Sequence, residues 1–153
     1  MSSTSTKLRF DGRVAIVTGG AQGMGKEHSM LLGSRGAKVV INDLDEKGAE
    51  ATVKAIQAEG GKAIAVAGSI SERIVIEAIV DAAINTWGRI DILINNAGID
   101  FPKPFTEITD SDFSRFLGVH SERLGFLIFV GHLSDKVASF AAGGIGAAAV
   151  ALL

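Results

Sequence analysis

Three features of this sequence predict an α/β protein, a doubly wound parallel sheet in three α/β/α layers. Short runs of apolar, largely β-branched residues recur along the first two-thirds of its 153 residues. Helix-length segments separate them, and turns rich in Gly, Asp and Asn bound them. Runs this apolar fit strands buried on both faces, as in a parallel sheet. The resulting β-α-β-α-β-α-β order predicts right-handed crossovers.

The first strand is expected at Val14–Thr18, between Asp11-Gly12 and Gly19-Gly20. Gly25–Arg35 then reads as a helix, followed by a second strand at Lys38–Asn42. Asp45–Glu59 carries Ala49, Val53 and Ile56 at helical spacing, and Gly60-Gly61 supplies the stop. A third strand follows at Ala63–Ala67. Ser71–Thr86 reads as the next helix, with Ser71 as N-cap and Ile74, Ala78 and Ala82 on one face. The fourth strand is Ile90–Asn95. Phe101–Glu107 holds both prolines and reads as a loop. Thr109-Asp110-Ser111-Asp112 resembles a capping box opening a helix to about Gly118. Leu124–Leu133 fits either a strand or a buried helix. Three segments result: a tail at 1–7, a globular domain at 8–120, and a divergent apolar tail at 121–153.

Composition narrows the function. Apolar residues make up 47% and charged residues 21%, which suits a globular chain. A net charge of −2 argues against a nucleic-acid partner, which needs a basic footprint. The absence of Cys excludes disulfides, thiolate metal sites and thiol nucleophiles. His28 and His132 lack partners at metal-ligand spacing, so surface or loop positions and no metal are expected. Met1–Thr6 has no apolar core of a secretory signal, so a cytoplasmic setting is expected. Val137–Leu153 carries no charge, which leaves a tail-anchored, membrane-associated protein as one alternative. It is a little short for a span, and Gly143, Gly144 and Gly146 weaken a helix there.

The chemistry-bearing motif follows the first strand: Thr18-Gly19-Gly20-Ala21-Gln22-Gly23-Met24-Gly25. A phosphate needs close approach of backbone, which Gly allows, and free N–H groups at a positive helix end. Asp43 ends the second strand, where a carboxylate accepts both ribose hydroxyls of an adenosine and repels a 2′-phosphate. No Lys or Arg lies between Gly19 and Gly25 to neutralise such a phosphate. The expected cofactor is NAD, preferred over NADP. Asn95-Asn96-Ala97-Gly98 ends the fourth strand, on the sheet edge where open α/β sheets bind ligands. Its amides can satisfy backbone groups of the neighbouring strand and helix.

Thr-Gly-x-x-x-Gly-x-Gly at Thr18–Gly25, together with Asn-Asn-Ala-Gly at Asn95–Gly98, resembles the short-chain dehydrogenase/reductase family over about residues 8–120. Leu8–Arg13, Asn42-Asp43-Leu44 and Val119-His120 further resemble the dehydrogenase domain of peroxisomal multifunctional hydratase–dehydrogenases. The resemblance implies a Rossmann fold and an NAD(P)-dependent oxidoreductase. Its chemistry is hydride transfer with an alcohol or carbonyl substrate, or an acyl thioester in that sub-family. Cofactor contacts then fall to Gly19, Gln22, Gly23, Met24, Gly25, Asp43, Asn95, Ala97 and Gly98.

Two departures qualify it. The family's Asp after the third strand, which touches adenine, aligns with Gly68 and is missing. The family's Ser and Tyr-x-x-x-Lys chemistry is missing too, because the chain contains no Tyr. Ser134-Asp135-Lys136 does not replace it, since consecutive residues do not share a helix face. No catalytic residue is therefore assigned, and the chain is expected to be inactive as written. A non-catalytic dinucleotide-binding or interaction module is the other alternative. Family domains run to roughly 250 residues, so the C-terminal part of the fold is expected to be incomplete, with apolar surface left for self-association. After His120 two origins stay open. One is a genuine divergent tail; the other is a frame change, since codons for Ser121–Leu124 read one base later can spell Leu-Asn-Gly.

Overall fold

The computed structural model describes residues 8–99, 103–133 and 149–152. Strands β1 (Val14–Thr18), β2 (Lys38–Asp43), β3 (Lys62–Ala67) and β4 (Ile92–Asn95) alternate with helices α1 (Gly23–Ser34), α2 (Glu46–Ala58) and α3 (Arg73–Trp87). A short 3-10 turn at Phe105–Glu107 precedes α4 (Asp110–Leu133), and β5 is Ala149–Leu152. The sheet order is β3-β2-β1-β4-β5. The first four strands are parallel, and β5 joins β4 antiparallel. The α/β expectation holds over β1–β4, in the predicted order.

The period of two along each strand divides the core between two faces. Val14, Ile16, Val40 and Leu93 meet Ile76, Ile79, Val80 and Ala83 of α3 on one side. Ala15, Val17, Val39, Ile41, Ile92 and Ile94 meet Leu32 of α1 and Ala49 and Ile56 of α2 on the other. Chain connections leave β1 in one direction along the sheet and return to β4 in the other. That reversal opens a crevice at the strands' carboxyl ends.

Local signals explain most boundaries. Asp45 caps α2 by accepting from the Gly48 N–H at 3.1 Å. Gly88 ends α3 in the left-handed conformation, its N–H donating to the Ile84 carbonyl at 2.8 Å. Thr109 and Asp112 form the capping box of α4: each backbone N–H is bound by the other's side chain. Lys103 pairs with Asp112. With these bonds, the lysine's first and then Thr109's, the Asp112 carboxyl is held well below its usual range.

Several expectations need correction. In α3 the N-cap is Glu72, not Ser71, and the buried stripe is Ile76, Ile79, Val80 and Ala83. Ile74, placed on the core face by sequence, is 73% exposed. Arg73, Glu77, Asp81 and Asn85 recur four apart and mark the outer side, where Ile74 falls, while Ile76, Ile79, Val80 and Ala83 keep the i, i+3, i+4, i+7 spacing of a core stripe. Helix α4 does not stop at Gly118 but continues through Leu124–Leu133, which is therefore helical. The segment boundary expected after His120 falls inside this helix. Helix α1 begins two residues earlier than expected and ends at Ser34. Strand β4 begins at Ile92, because Ile90 and Asp91 form its lead-in. There the Asp91 N–H donates to the Val14 carbonyl at 2.8 Å and its carboxylate accepts from the Val14 N–H at 2.8 Å.

Of the apolar tail, Ala149–Leu152 pairs with β4 as an edge strand; residues 134–148 lie outside the described residues. Among the described residues no helix is long and apolar enough to cross a membrane. His28 is not a loop residue. It is half-buried in α1 with Nδ1 sealed from solvent, and His132 lies within α4.

Candidate functional site: a groove at the carboxyl ends of the strands

The turn from β1 into α1 is built by close approach. Gly19 adopts φ +67°, and a Cβ there would sit 2.8 Å from the Ala97 Cα. A Cβ on Gly25 would sit 2.0 Å from the Gly19 carbonyl oxygen. Gly23 has φ +53° but faces open space, so its side of the turn is free for a ligand. The N-terminus of α1 has no side-chain cap and no acidic residue in its first turn. An uncapped, unneutralised helix start next to an open glycine suits an anion such as pyrophosphate.

A strap holds this turn against the end of β4. The Thr18 hydroxyl, fully buried, accepts from the Asn96 N–H at 3.1 Å and the Ala97 N–H at 3.0 Å. In return the Asn96 amide donates to the carbonyls of Thr18, at 3.1 Å, and Gly19, at 3.0 Å. Asn96 fills at this turn the role foreseen for the Asn amides. Asn95 is 2% exposed at the end of β4.

Asp43 stands at the end of β2. One carboxylate oxygen accepts from the Ala21 N–H at 2.9 Å and the other from the Asp45 N–H at 3.1 Å. A carboxylate has about four acceptor positions, so two remain for hydroxyls of a ligand. Next to it, buried Asn42 donates to the carbonyls of Val66 and Gly68, both at 3.0 Å, tying β2 to the exit of β3.

These residues surround one groove of about 460 Å³, within the usual range for small-molecule sites. Gly19, Gln22, Asp43, Ala97 and Gly98 line it, as the sequence led us to expect. Gly23, Met24 and Gly25 follow Gln22 in the first turn of α1, where the Met24 side chain is 66% exposed. Sequence reasoning missed Leu44, Ser69, Ile70, Ile99 and Val119 as lining residues. The position after the glycine turn and after each strand end was the available signal, since ligands lie beyond the strands' carboxyl ends. His120 reaches the same mouth from α4. Its Nε2 lies 3.3 Å from the Ile99 carbonyl, and its ring packs on Phe116 with centroids 4.1 Å apart. No cluster of metal-ligating side chains occurs among the described residues. Ser134, Asp135 and Lys136 lie outside them.

A parallel sheet wound both ways, a glycine turn into an uncapped helix and an acidic residue ending β2 define a Rossmann-type nucleotide-binding fold. The particular family follows from comparison. The model of the short chain dehydrogenase family matches residues 13–130, and the chain belongs to that family. It is 39% identical over 129 residues to the peroxisomal multifunctional enzyme type 2 of Drosophila melanogaster, covering 78% of this chain and 21% of that protein. It is 41% identical over 111 residues to the 7alpha-hydroxysteroid dehydrogenase of Escherichia coli, covering 72% of this chain and 43% of that protein. Among solved structures, a short chain dehydrogenase/reductase from Burkholderia phymatum in complex with NAD superposes with a TM-score of 0.76 at 30% identity, covering 82% of this chain and 45% of that one. The chain therefore spans less than half the length of these relatives. The similarity to peroxisomal multifunctional enzymes agrees with the expectation drawn from Leu8–Arg13, Asn42–Leu44 and Val119-His120.

Proposed function

We propose that this chain is the dinucleotide-binding part of a short-chain dehydrogenase, binding NAD in preference to NADP. The observation that carries the reading is the Asp43 carboxylate in the groove wall, with two acceptor positions left after its bonds to Ala21 and Asp45. Two ribose hydroxyls suit those positions, whereas a 2′-phosphate meets like charge. Gly19, Gln22, Gly23, Met24 and Gly25 hold the pyrophosphate against the start of α1. Asn95, Ala97 and Gly98 shape the floor under the nicotinamide half. When bound, the cofactor supplies or accepts a hydride. This chain's own residues bind and orient it.

Turnover needs a proton donor within hydrogen-bond reach of the substrate oxygen. The chain has no Tyr to serve as the family's acid/base, so it binds cofactor without oxidising an alcohol by the family mechanism. With that residue supplied, substrates would be alcohols or carbonyls, including 3-hydroxyacyl thioesters, in a cytoplasmic setting. Sequencing the gene and transcript from the codon of Arg115 onward tests whether the tail after His120 is read in frame.

The binding experiment is a fluorescence titration with NADH and NADPH. Saturable NADH binding, with NADPH at least about tenfold weaker, is expected from one lost charge-assisted contact. Asp43→Asn should weaken NADH by a similar factor and narrow the gap between the two. Equal affinity for both cofactors, or no NADH binding, overturns the reading. NAD-linked alcohol oxidation by the purified chain overturns the claim of inactivity. Phe113 and Leu117, four residues apart on α4 and both exposed, support a second reading, self-association through that face. Sedimentation of the parent chain against Leu117→Glu tests it: a monomer in both cases rejects it.

A further inference from the structure

Strand β4 is held differently along its two edges. Its register with β1 pairs Ala15 with Ile92, Ile16 with Leu93 and Val17 with Ile94, and stops there. Its register with β5 runs the whole strand, from Ile92 opposite Leu152 to Asn95 opposite Ala149. At Asn95, therefore, the pairing partner across the sheet is the C-terminal strand. The next residue is Asn96, whose backbone and side-chain amides tie β4 to Thr18 and Gly19. Ala97 follows, so close to Gly19 that no side chain fits between them. The groove floor thus begins one residue beyond a pairing made with the tail.

Strand β5 is four residues long. It carries no charge and no Pro, and it ends the sheet order among the described residues. A strand this short at a sheet edge belongs to the part of a fold that opens locally, without global unfolding. Opening leaves backbone groups of β4 facing water. The ladder with β1 has already ended at Ile94, so Asn95 is where such an opening loosens β4 first.

We propose that β5 is a releasable clamp on the cofactor groove. Paired to β4, it holds Asn95–Gly98 in the arrangement that binds the dinucleotide. Released, it lets Asn96 drift from Thr18 and Gly19, and the glycine turn loses its backing. The coupling rests on the cofactor reading above. Such coupling is reciprocal: the factor by which tail release weakens cofactor binding is the factor by which bound cofactor disfavours release.

Two measurements on the full chain test it. Hydrogen exchange of the Ala149–Leu152 backbone is followed with and without saturating NADH. NADH is also titrated into the double variant Val150→Pro, Ala151→Pro. Neighbouring residues of a strand turn their N–H groups to opposite edges, so one of the two prolines removes a bond to β4. NADH should slow tail exchange by about fivefold or more, and the prolines should weaken NADH by the same factor to within about threefold. The turn Glu59–Gly61, at the opposite end of the sheet, is the control. Its N–H groups bond to the Ile56 and Gln57 carbonyls, and their exchange should not respond to NADH. A tail that merely adds bonds to the sheet edge would not respond either. Unchanged tail exchange, equal protection at Glu59–Gly61, or parent affinity in the proline variant each overturn the proposal and leave the cofactor reading intact. If circular dichroism shows the proline variant unfolded, tail exchange in the parent chain decides alone. Absence of NADH binding to the parent chain overturns both.

Discussion

Replacing Thr18 tests whether its hydroxyl or its methyl group holds the glycine turn to β4. The side chain is fully buried, so both parts count. Thr18→Val keeps the shape and removes the acceptor. The Ala97 N–H then loses its 3.0 Å bond. The Asn96 N–H keeps a second acceptor, the Ile94 carbonyl at 3.1 Å. A buried donor left unpaired costs about 1–3 kcal/mol. One full loss and one partial loss, both half-buried, come to about 2 kcal/mol. Thr18→Ser keeps the acceptor and deletes one buried methyl, about 1 kcal/mol. Valine should therefore be the worse substitution, although it is the more apolar. Urea unfolding followed by the fluorescence of Trp87, which packs against the core, measures both. With a slope of about 2 kcal/mol per molar urea, midpoints should fall by about 1 M for Thr18→Val and about 0.5 M for Thr18→Ser. If Thr18→Ser costs as much as Thr18→Val, the hydroxyl strap does not hold the turn and the argument fails.

Other expectations follow the same logic. Asp91→Ala should cost about 2 kcal/mol in a urea melt, because it strands the buried Val14 N–H; Arg89→Ala keeps that bond but takes the cation from a carboxylate only 4% exposed, so it should also lower the midpoint, and an unmoved midpoint would contradict the pairing. Gly25→Ala should reduce NADH affinity more than about tenfold, since its Cβ cannot avoid the Gly19 carbonyl without opening the turn; unchanged binding in the titration would remove the turn from the site. The folded Asp112 carboxyl lies below its usual 3.8, so its contribution to the start of α4 is present above that pH and is lost as pH falls through the depressed value. Lys103→Ala removes the largest cause and should move the acid-side loss of helix upward toward pH 3.8, read by circular dichroism against the parent chain; an unmoved midpoint would contradict the pairing.

The sequence by itself determined the alternation of four strands and three helices, the glycine turn, the acid ending β2 and the Asn-Asn-Ala-Gly segment. Each is a local signal: a β-branched run, a residue type that a turn requires, or a charge at a strand end. The inner side of α3 is legible too: Arg73, Glu77, Asp81 and Asn85 recur four apart beside Ile74, away from the stripe of Ile76, Ile79, Val80 and Ala83 that meets Val14, Ile16, Val40 and Leu93. Local signals could not stop α4, because Gly118 reads as a terminator yet sits inside a helix that continues to Leu133. Division of labour between adjacent residues was equally out of reach. Asn96 straps the turn, and Ser69 adds a polar side chain to the groove wall beside Gly68, which packs close to Val75. Those choices depend on which way each side chain leaves its strand end and on what Thr18, Gly19 and Val75 already occupy. They are contacts between segments far apart in the chain, and only the folded sheet brings those segments together.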